Sequence, residues 1–475
     1  MVKVAFVDQA KNFYDRHAIY SLSSVLESNG HKVYYVPKLR AKNIVNRLKE
    51  INPDLILYSS FTRDITKYAA IDRLAKKDLK IKSIIGGHGP TYDPEFVLNT
   101  TIDALCIGEG ETAIIDYINC GFAANKNIID KDNFNNDSCD ADFYPFIDLD
   151  DIPVPDRSIV YEQDDVLRNQ PSKQFMAGRG CPYQCTYCHN SSFNKKFKKC
   201  GPVIRYKSVD YLIEEISRIK NRYPLETVVF QDDVFILRKD WLKEFCEKFP
   251  RKIGLPFTCN VRAEIIVNEE IVKMLKEAGC THAAWSIESG NDFFRNTILK
   301  RNMSKEQILL AASNLNKYKI PHRVGNVIGI PGEKFENITE TLELNIKANP
   351  TLAIGSIFVP FPGLELTDYA IKNNYLDKEN LKNLPDSLYE RSVLNFTVKE
   401  KLKIQKIAYL FPLLISFPSL YHNKFVFYKV LLNLPNFLLR LIYNIFFITK
   451  MSGIFKIKAS MKTKASIGYR YFFHS

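Results

Sequence analysis

Short apolar runs alternate with helical patterns along two long stretches of the chain, and this alternation limits the folds open to it. Within residues 1–120 the runs are VKVAFV, KVYYVP, DLILYSS, KSIIGG and DALCIG, each bounded by turn residues. Such runs are typical of parallel strands buried on both faces, with helices as the crossover connections. Five of them predict a doubly wound, flavodoxin-like α/β domain, which we place at residues 1–125.

A second series of apolar runs lies between residues 173 and 360: KQFMAG, TVVFQ, PFTCNV, HAAWSI, RVGNVIGI and IGSIFVP. Six strands separated by helical patterns predict a partial (β/α)6 barrel of the TIM type over residues 166–395. Functional residues in such a barrel lie at the carboxyl ends of the strands. The stretch between the two series, residues 126–165, is polar and aperiodic and ends in paired prolines, which predicts a linker.

Length and cysteine usage narrow the class of protein. A chain of 475 residues is too long for one core, and a hydrophobic content of 46% excludes a disordered protein. The ten cysteines have irregular spacing, and the N-terminal MVKVAFVDQA lacks the apolar segment of a signal peptide. We therefore expect a cytoplasmic protein with reduced thiols.

The positive charge is concentrated at the C-terminal end. The last 75 residues contain twelve bases and no acid, whereas the rest of the chain is nearly neutral. Apolar blocks broken by prolines and bases predict a helical, basic region over residues 396–475. The longest uncharged run has 17 residues and includes two prolines, which is short for a membrane span.

Three interpretations of this basic region stay open. It is a helical cap on the barrel, a module that lies on the inner, anionic face of the membrane, or a nucleic-acid-binding segment. Nucleic acid is the least supported partner, because the aromatic residues stand inside aliphatic runs rather than among the bases.

Three loops of the first domain carry small or acidic residues directly after predicted strands. The carboxyl ends of parallel strands share one edge of a sheet, where ligands bind, and glycine allows backbone to approach a ligand closely. Each loop alone is better explained as an ordinary tight turn. Together they predict a cofactor site formed by Ser59, Ser60, Gly86, Gly87, Gly108, Glu109 and Gly110.

The segment GRGCPYQCTYCHN places Cys181, Cys185 and Cys188 directly after the first strand of the barrel. Thiolates bind zinc and iron–sulfur clusters. His189 or Cys200 would complete a four-ligand zinc site, whereas three thiols on one loop suit a [4Fe–4S] cluster with one iron left open. A packing role for the three thiols is disfavoured, because the glycines and proline of the segment indicate a loop.

The octapeptide CPYQCTYC resembles the CxxxCxΦC signature of the radical S-adenosylmethionine (SAM) enzymes, with Tyr187 in the aromatic position. The first domain is similar to the cobalamin-binding domain that precedes the barrel in one branch of that superfamily. The segments IIGGHGPTYDPE and DALCIGEGE carry this second likeness. The resemblance extends over residues 1–395.

The resemblance implies roles for individual residues. The three cysteines hold the cluster, SAM chelates its fourth iron, and Tyr187 packs near the adenine. The alternatives are a helix N-cap for Asp232 and Asp233, a surface turn for Glu288, and a loop that merely needs positive φ for Gly329 and Gly332. SAM contacts are implied for Asp232 and Asp233 in QDD, Glu288 in SIESG, and Gly329 and Gly332 in GIPGE.

One motif departs from the family pattern. Some cobalamin-binding domains carry a DxHxxG motif whose His ligates cobalt, but the matching loop here reads FVDQAKN, with Gln9 and Ala10 and no His. His31 and His88 lie elsewhere in the sequence. The resemblance then implies base-off cobalamin without a His ligand, or a domain that has lost the cofactor.

The sequence predicts a cobalamin-dependent C-methyltransferase that acts on a small hydrophobic or lipid-like substrate. It would take electrons from a donor such as flavodoxin or ferredoxin. Within the enzyme class, a radical cyclase, a rearrangement or an RNA-modifying activity stays open. The alternative from another class is a non-catalytic protein that binds cobalamin or senses redox state.

Overall fold

A computed structural model describes residues 1–8, 14–37, 41–60, 64–131, 134 and 142–455. Two parallel sheets with flanking helices follow one another along the chain, and helices form its C-terminal part. The predicted α/β class, with its doubly wound first sheet, partial barrel and helical C-terminal region, is confirmed.

The first sheet has the strand order β2-β1-β3-β4-β5-β6. Strands β1 to β5 match the five predicted runs and are parallel, whereas β6 pairs antiparallel with β5. The short β6 was not predicted, because three residues give no readable periodicity. The strands are β1 Lys3–Val7, β2 Lys32–Val36, β3 Leu55–Ser59, β4 Lys82–Gly86, β5 Ala104–Cys106 and β6 Ile128–Asp130. The helices are α1 His17–Ser28, α2 Ala41–Ile51, α3 Ile65–Ala75, α4 His88–Tyr92, α5 Pro94–Leu98 and α6 Glu111–Asn119.

Both faces of the first sheet are buried, as its continuous apolar strands predict. On one face, Ala5 and Val7 belong to a core that α2 and α3 complete. On the other face, Val4 and Phe6 belong to a core that continues into the barrel. The two domains therefore share apolar packing rather than a solvated gap.

The second sheet has the order β14-β13-β12-β11-β10-β7, and all its strands are parallel. All six predicted barrel strands are present. They are β7 Ser172–Phe175, β10 Thr227–Phe230, β11 Phe257–Asn260, β12 Cys280–Glu288, β13 His322–Ile328 and β14 Leu352–Ile357. A separate antiparallel pair, β8 Gly178–Arg179 and β9 Arg205–Tyr206, brackets the cysteine segment.

Helices cover the outside of this barrel. A representative one, α13, begins at an Asn268 cap whose side chain accepts the Glu270 N–H, and it buries Ile271, Val272 and Leu275. The helices of this part are α7 Ser158–Tyr161, α8 Asp165–Asn169, α9 His189–Lys196, α10 Val209–Arg222, α11 Lys239–Lys252, α12 Ala263–Ile266, α13 Glu269–Glu277, α14 Lys305–Lys317, α15 Phe335–Ala348 and α16 Glu365–Lys372. A π-helical turn spans Phe293–Ile298, and a 3-10 helix spans Lys378–Asn383.

A buried polar network joins the first domain to the start of the barrel. The Asp15 carboxylate accepts hydrogen bonds from the Gln174 N–H and the Tyr161 hydroxyl, both at 2.7 Å. The Arg157 guanidinium donates to Glu215 at 2.8 Å. All of these side chains are buried, so the network is expensive to break.

The C-terminal part begins with a helix that caps the barrel. Helix α17, Val398–Ser416, starts at a Thr397–Glu400 capping box and lies along β14. A Cβ at Gly355 in β14 would stand 2.7 Å from the Phe411 ring, so the missing side chain allows this close approach. The cap interpretation of the basic region therefore describes α17.

The rest of the C-terminal part packs outside α17. Helix α18 is Pro418–His422 and helix α19 is Asn436–Phe455, with short π and 3-10 turns, Val426–Val430 and Leu431–Asn433, between them. Within the described residues, no single helix has the length and apolar character of a membrane span. Two segments, Val426–Asn433 and Asn436–Lys450, meet that criterion only when joined, and they are bent by 100°.

Candidate functional site

A cavity of about 380 Å³ lies where the carboxyl edge of the first sheet faces the cysteine segment. Residues of both domains line it, so neither domain forms the site alone. From the first domain these include Ser59, Gly86, Gly87, Gly108, Glu109 and Gly110, and from the barrel Gly178, Arg179, Gly180, Asn190 and Asp233. The structure thus brings six of the seven predicted loop residues to one cavity.

The seventh loop residue, Ser60, lies behind the cavity wall. It is buried, its N–H donates to the Gly86 carbonyl at 2.9 Å, and its carbonyl accepts from the Gly89 N–H at 3.1 Å. A Cβ at Gly87, where φ is +102°, would stand 2.6 Å from the Ser60 carbonyl oxygen. The glycine at this turn is therefore required by the fold as well as facing the cavity.

Ion pairs connect the GEGE loop, residues Gly108–Glu111, to the cysteine segment. Arg179, two residues before Cys181, bonds Glu111 at 2.6 Å and Glu109 at 3.3 Å. Arg205 also donates to Glu109, at 3.1 Å. Burial raises the pKa of Glu111, but Arg179 outweighs it and brings the pKa to about 2. The predicted cofactor loop is thus also an electrostatic connection between the two domains.

The cysteine segment itself is held by hydrogen bonds to its backbone. The Asp232 carboxylate accepts the N–H groups of Ala177 and Gly178 at 3.0 and 2.7 Å. Burial raises the pKa of Asp232 to about 7 despite these two bonds. Helix α11 begins only at Lys239, so Asp232 does not cap it. In this structure Asp232 fixes the loop that carries the thiols.

Asp233 points to the seam between the domains. It lines the cavity together with His88 and Asn190. Burial raises its pKa, and the Asn190 hydrogen bond and the His88 charge oppose that shift. The His88 ring lies 5.2 Å from the ring of His189, which directly follows Cys188. The sequence pattern assigns His88 no role, whereas the structure places it at the cavity.

The three thiols of the triplet are free, with Cys181 and Cys185 buried and Cys188 half-buried. Burial raises the pKa of Cys181, and raises that of Cys188 to about 12. A thiol with such a pKa is protonated at neutral pH unless a bound metal stabilises the thiolate. Cys181 and Cys188 are therefore poorly suited to act as free nucleophiles.

The side chains of Cys185, Arg262 and Arg301 converge. Both guanidinium groups place an Nη1 atom 3.8 Å from the Cys185 sulfur. Arg262 follows β11 and Arg301 follows the turn after β12, so both lie on the functional face of the barrel. Sequence reasoning did not select these arginines, although their position just after barrel strands was a usable signal.

Tyr187 and Glu288 meet on the other side of the triplet. The Tyr187 hydroxyl donates to the Glu288 carboxylate at 2.8 Å, and burial raises the pKa of Tyr187 well above its usual range. Glu288 has a φ of +70°, which is strained for a residue with a side chain. The structure thus brings together two residues that the resemblance assigned to SAM.

Gly329 and Gly332 lie in a loop that other segments pack against. A Cβ at Gly329 would stand 3.2 Å from Ile404 of α17, and one at Gly332 would stand 2.9 Å from the Tyr375 hydroxyl. The Gly329 N–H donates to Glu333 at 2.6 Å. Both glycines have positive φ, and neither lines the cavity.

The donor set fits an iron–sulfur cluster better than a single ion. Among the residues that the structure describes, no three His, Cys, Asp or Glu side chains are arranged around one metal position. Cys200, one of the two candidate fourth ligands of a zinc site, packs instead in an apolar core with Phe197. A cubane cluster binds each thiolate through a different iron, so its ligands need not converge on one point. Unpartnered buried atoms, Arg301 Nε and Glu333 Oε1, also remain near the predicted SAM residues.

Comparisons with known proteins agree with this site. The model of the radical SAM superfamily matches residues 176–344, and that of the B12 binding domain matches residues 4–118. An uncharacterized methyltransferase of Pyrococcus horikoshii is 26% identical over 408 residues, which cover 82% of this chain and 86% of that protein.

Two solved structures have similar folds. The cobalamin-dependent S-adenosylmethionine radical enzyme OxsB, with aqua-cobalamin and S-adenosylmethionine bound, gives a TM-score of 0.69 at 16% identity, covering 98% of this chain and 74% of that one. The radical S-adenosylmethionine methyltransferase TsrM of Kitasatospora setae, with cobalamin and a [4Fe–4S] cluster bound, gives 0.61 at 14% identity, covering 78% and 75%.

The two family matches coincide with the two halves of the cavity. The prediction of an enzyme, and of a [4Fe–4S] cluster, SAM and cobalamin as its cofactors, is confirmed at the level of these domains. The chain therefore carries a B12-binding domain over residues 4–118 and a radical SAM domain over residues 176–344.

Proposed function

We propose that this enzyme is a cobalamin-dependent C-methyltransferase that acts on a small hydrophobic or lipid-like molecule. The observation that carries this proposal is the shared cavity, which joins the ligand edge of the B12-binding sheet to the cysteine segment. When bound, the cluster and SAM supply a carbon radical that removes a hydrogen atom, and cobalamin supplies a methyl group. The methyltransferase relative supports methyl transfer as the outcome.

Residues of the chain have separate tasks in this proposal. Cys181, Cys185 and Cys188 bind the cluster, and the Asp232 carboxylate holds their loop in place through backbone hydrogen bonds. The Tyr187–Glu288 pair borders the space for SAM, and its fixed geometry would orient the nucleoside.

The open loops of the first domain form the cobalamin side of the cavity. Ser59, Gly86, Gly108 and Gly110 present backbone and small side chains there, so that a cofactor can approach the backbone closely. We propose that cobalamin binds base-off without a His ligand, on the evidence of FVDQAKN. Gln9 and Ala10 of that motif lie outside the described residues.

The reaction needs one electron from outside the chain for each SAM cleavage. We propose a low-potential carrier such as flavodoxin or ferredoxin as the donor. We propose a cytoplasmic location with it, since reduced carriers and free thiols both belong to that compartment.

A second partner is an anionic membrane surface at the inner face of the membrane, contacted by the outer side of the C-terminal helices. Fifteen large hydrophobic side chains are exposed in the described part of the chain, and nine of them follow residue 397. No acidic residue follows Glu400, so bases alone accompany the eight of them that come after it. Exposed apolar side chains among bases are typical of an interfacial segment. The nine are Val398, Leu402, Phe417, Phe425, Tyr428, Val430, Phe437, Leu441 and Ile445.

Product analysis under anaerobic conditions tests the methyltransferase proposal. Protein reconstituted with iron, sulfide and cobalamin would be incubated with SAM, a reductant and membrane lipid extract. Equal amounts of 5′-deoxyadenosine and S-adenosylhomocysteine are expected, because one SAM gives the radical and another gives the methyl group. If only 5′-deoxyadenosine formed with a modified product, the enzyme would catalyse a cyclisation or rearrangement instead. If neither appeared, the non-catalytic alternative would stand.

A further inference from the structure

The Cys185 position differs from the other two cysteines in its electrostatic surroundings. Two guanidinium groups, those of Arg262 and Arg301, each approach its sulfur to 3.8 Å. Both arginines are buried, with exposed fractions of 4% and 6%. Bringing two like charges out of water to one sulfur is costly, so the arrangement needs a reason beyond packing.

Contacts on every side hold these arginines in place. The Arg262 guanidinium stacks on the Tyr183 ring at 3.4 Å and pairs with Glu264. It also donates to the Arg301 carbonyl at 3.4 Å. Tyr183 lies two residues before Cys185, so the loop that carries the thiols also positions the charge beside them.

Arg301 is fixed without a hydrogen-bonded carboxylate. Its Nη2 donates to the Ser286 carbonyl at 2.8 Å and to the Met303 sulfur at 3.9 Å. Its Nε is buried and has no hydrogen-bond partner among the described residues. Of the two arginines only Arg262 has a hydrogen-bonded carboxylate, and Glu288 and Glu264 act on Arg301 through charge alone.

We propose that Arg262 and Arg301 act as positioning residues that raise the reduction potential of the cluster through the Cys185 thiolate. Reduction adds one electron from the external carrier and makes the thiolate-bound group more negative. Hydrogen bonds and positive charge at a ligand sulfur stabilise that more negative state. No bond is made or broken at the arginines, and both keep their protons. The inference rests on the proposed function, because it presumes a cluster at the triplet.

The asymmetry of the contacts makes the proposal specific. Among the described contacts, guanidinium donors reach the Cys185 sulfur, whereas the Cys181 and Cys188 sulfurs accept backbone N–H groups, those of Tyr183 and Asn190. The effect is therefore assigned to one ligand of the cluster. It would lower the barrier to electron entry from a carrier of moderate potential.

Potentiometry on R262Q, R301Q and the double variant tests this. An anaerobic redox titration followed by electron paramagnetic resonance would give the midpoint potential of the reconstituted cluster. We expect a more negative potential in each single variant and a larger shift in the double variant. R262K and R301K keep the charge and should shift less. R222Q, at an exposed arginine paired with Asp156, is the matched control and should leave the potential unchanged.

The rate of SAM cleavage provides a second measurement, which depends on the strength of the reductant. SAM cleavage driven by reduced flavodoxin should fall in R262Q and R301Q, and a stronger chemical reductant should restore much of it. Unchanged or less negative potentials in glutamine variants with full iron content would overturn the proposal. If a glutamine variant does not take up iron, the corresponding lysine variant is measured in its place. A lysine variant whose midpoint potential equals that of R222Q, while its SAM cleavage is altered, would also overturn the proposal. A wild-type protein that takes up no cluster would instead refute the proposed function.

Discussion

The Tyr187 hydroxyl donates a 2.8 Å hydrogen bond to the Glu288 carboxylate, and this bond joins the cysteine loop to the end of β12. Residues 101 positions apart in the chain are thereby fixed beside each other. Glu288 adopts a φ of +70°, so its carboxylate is aimed by a backbone conformation that a side chain rarely takes. The hydrogen bond and the backbone conformation therefore fix the positions of both side chains beside the cysteine triplet.

Tyr187→Phe should remove this hydrogen bond and leave the shape of the side chain otherwise unchanged. The buried Glu288 carboxylate loses its hydrogen-bond donor, which costs about 1–3 kcal/mol of stability. Equilibrium urea unfolding of the cluster-free protein measures the loss. Tyr428→Phe, at an exposed tyrosine, is the control and should change little. Equal stability of the two variants would mean that the bond does not form in solution.

Cys185→Ala should abolish cluster binding, because three thiolates are needed to hold three irons. Reconstituted protein should lose the brown absorbance near roughly 400 nm typical of such clusters, and SAM cleavage with it. Cys200→Ser is the control, because Cys200 packs in an apolar core away from the triplet. A normal iron content in Cys185→Ala, or iron loss only in Cys200→Ser, would contradict the ligand assignment.

Cobalamin bound to this protein should show no histidine nitrogen on cobalt. The prediction rests on the missing His in FVDQAKN, and electron paramagnetic resonance of the cobalt(II) form checks it. His88 lines the cavity, so His88→Ala identifies the source of any nitrogen coupling that is seen. A coupling that disappears in this variant would make His88 the ligand and refute the prediction. Absence of cobalamin uptake would refute cofactor binding as such.

Acid should weaken the connection between the domains through Glu111. Burial raises its pKa and Arg179 lowers it, from an ordinary value of 4.5 to a net value of about 2. A carboxyl whose pKa is lowered by folding adds stability above its unfolded pKa and loses it as the pH falls toward the folded pKa. The Glu111 carboxylate contributes about 3 kcal/mol to the free energy of unfolding at neutral pH, and about 2 kcal/mol of this is lost by about pH 3.

Unfolding free energies measured between neutral pH and about pH 3 test this dependence. Glu111→Gln should be less stable than the wild type at neutral pH, and the difference should narrow on acidification because glutamine does not titrate. Glu50→Gln, at an exposed glutamate with a surface partner, should follow the wild type. A constant difference between Glu111→Gln and wild type would show that the ion pair adds no pH-dependent stability.

Binding to anionic vesicles should depend on the exposed apolar side chains of the C-terminal helices. A variant with Phe425, Phe437 and Leu441 changed to Ser should sediment less with anionic vesicles, because apolar burial in the interface is lost. Raising the salt concentration should weaken binding of both proteins through screening of the bases. Leu310→Ser, at an exposed leucine of α14, is the control for surface hydrophobicity.

Truncation at Glu400 is a poor test of membrane contact. It would remove Ile404 and Phe411 from the barrel, and these side chains pack against Gly329 and Gly355. If the wild-type chain does not bind anionic vesicles, the whole C-terminal part is instead a cap on the barrel.

Strands and the cysteine triplet could be predicted because their signals are local. Apolar runs such as DLILYSS need both faces buried, and CPYQCTYC carries its spacing within eight residues. The contacts of Arg262 and Arg301 with Cys185 could not be predicted in the same way. They span 77 and 116 residues, and only the closed barrel brings them together.

The basic region shows why composition alone is ambiguous. Its apolar blocks are equally suited to covering a barrel edge and to entering a bilayer, and the structure assigns α17 to the barrel. The decisive feature, Gly355, lies some 50 residues upstream in a strand whose sequence gives no hint of what covers it.

The ion pairs of Glu109 and Glu111 with Arg179 and Arg205 have a consequence for domain exchange. A chimera that imports a foreign B12-binding domain without these acids would leave two half-buried arginines beside the thiol loop unpaired. A graft at residue 125 therefore has to carry the carboxylates of the GEGE loop, or replace both arginines at once. Modular as the two domains look along the chain, they have to be engineered as a matched pair.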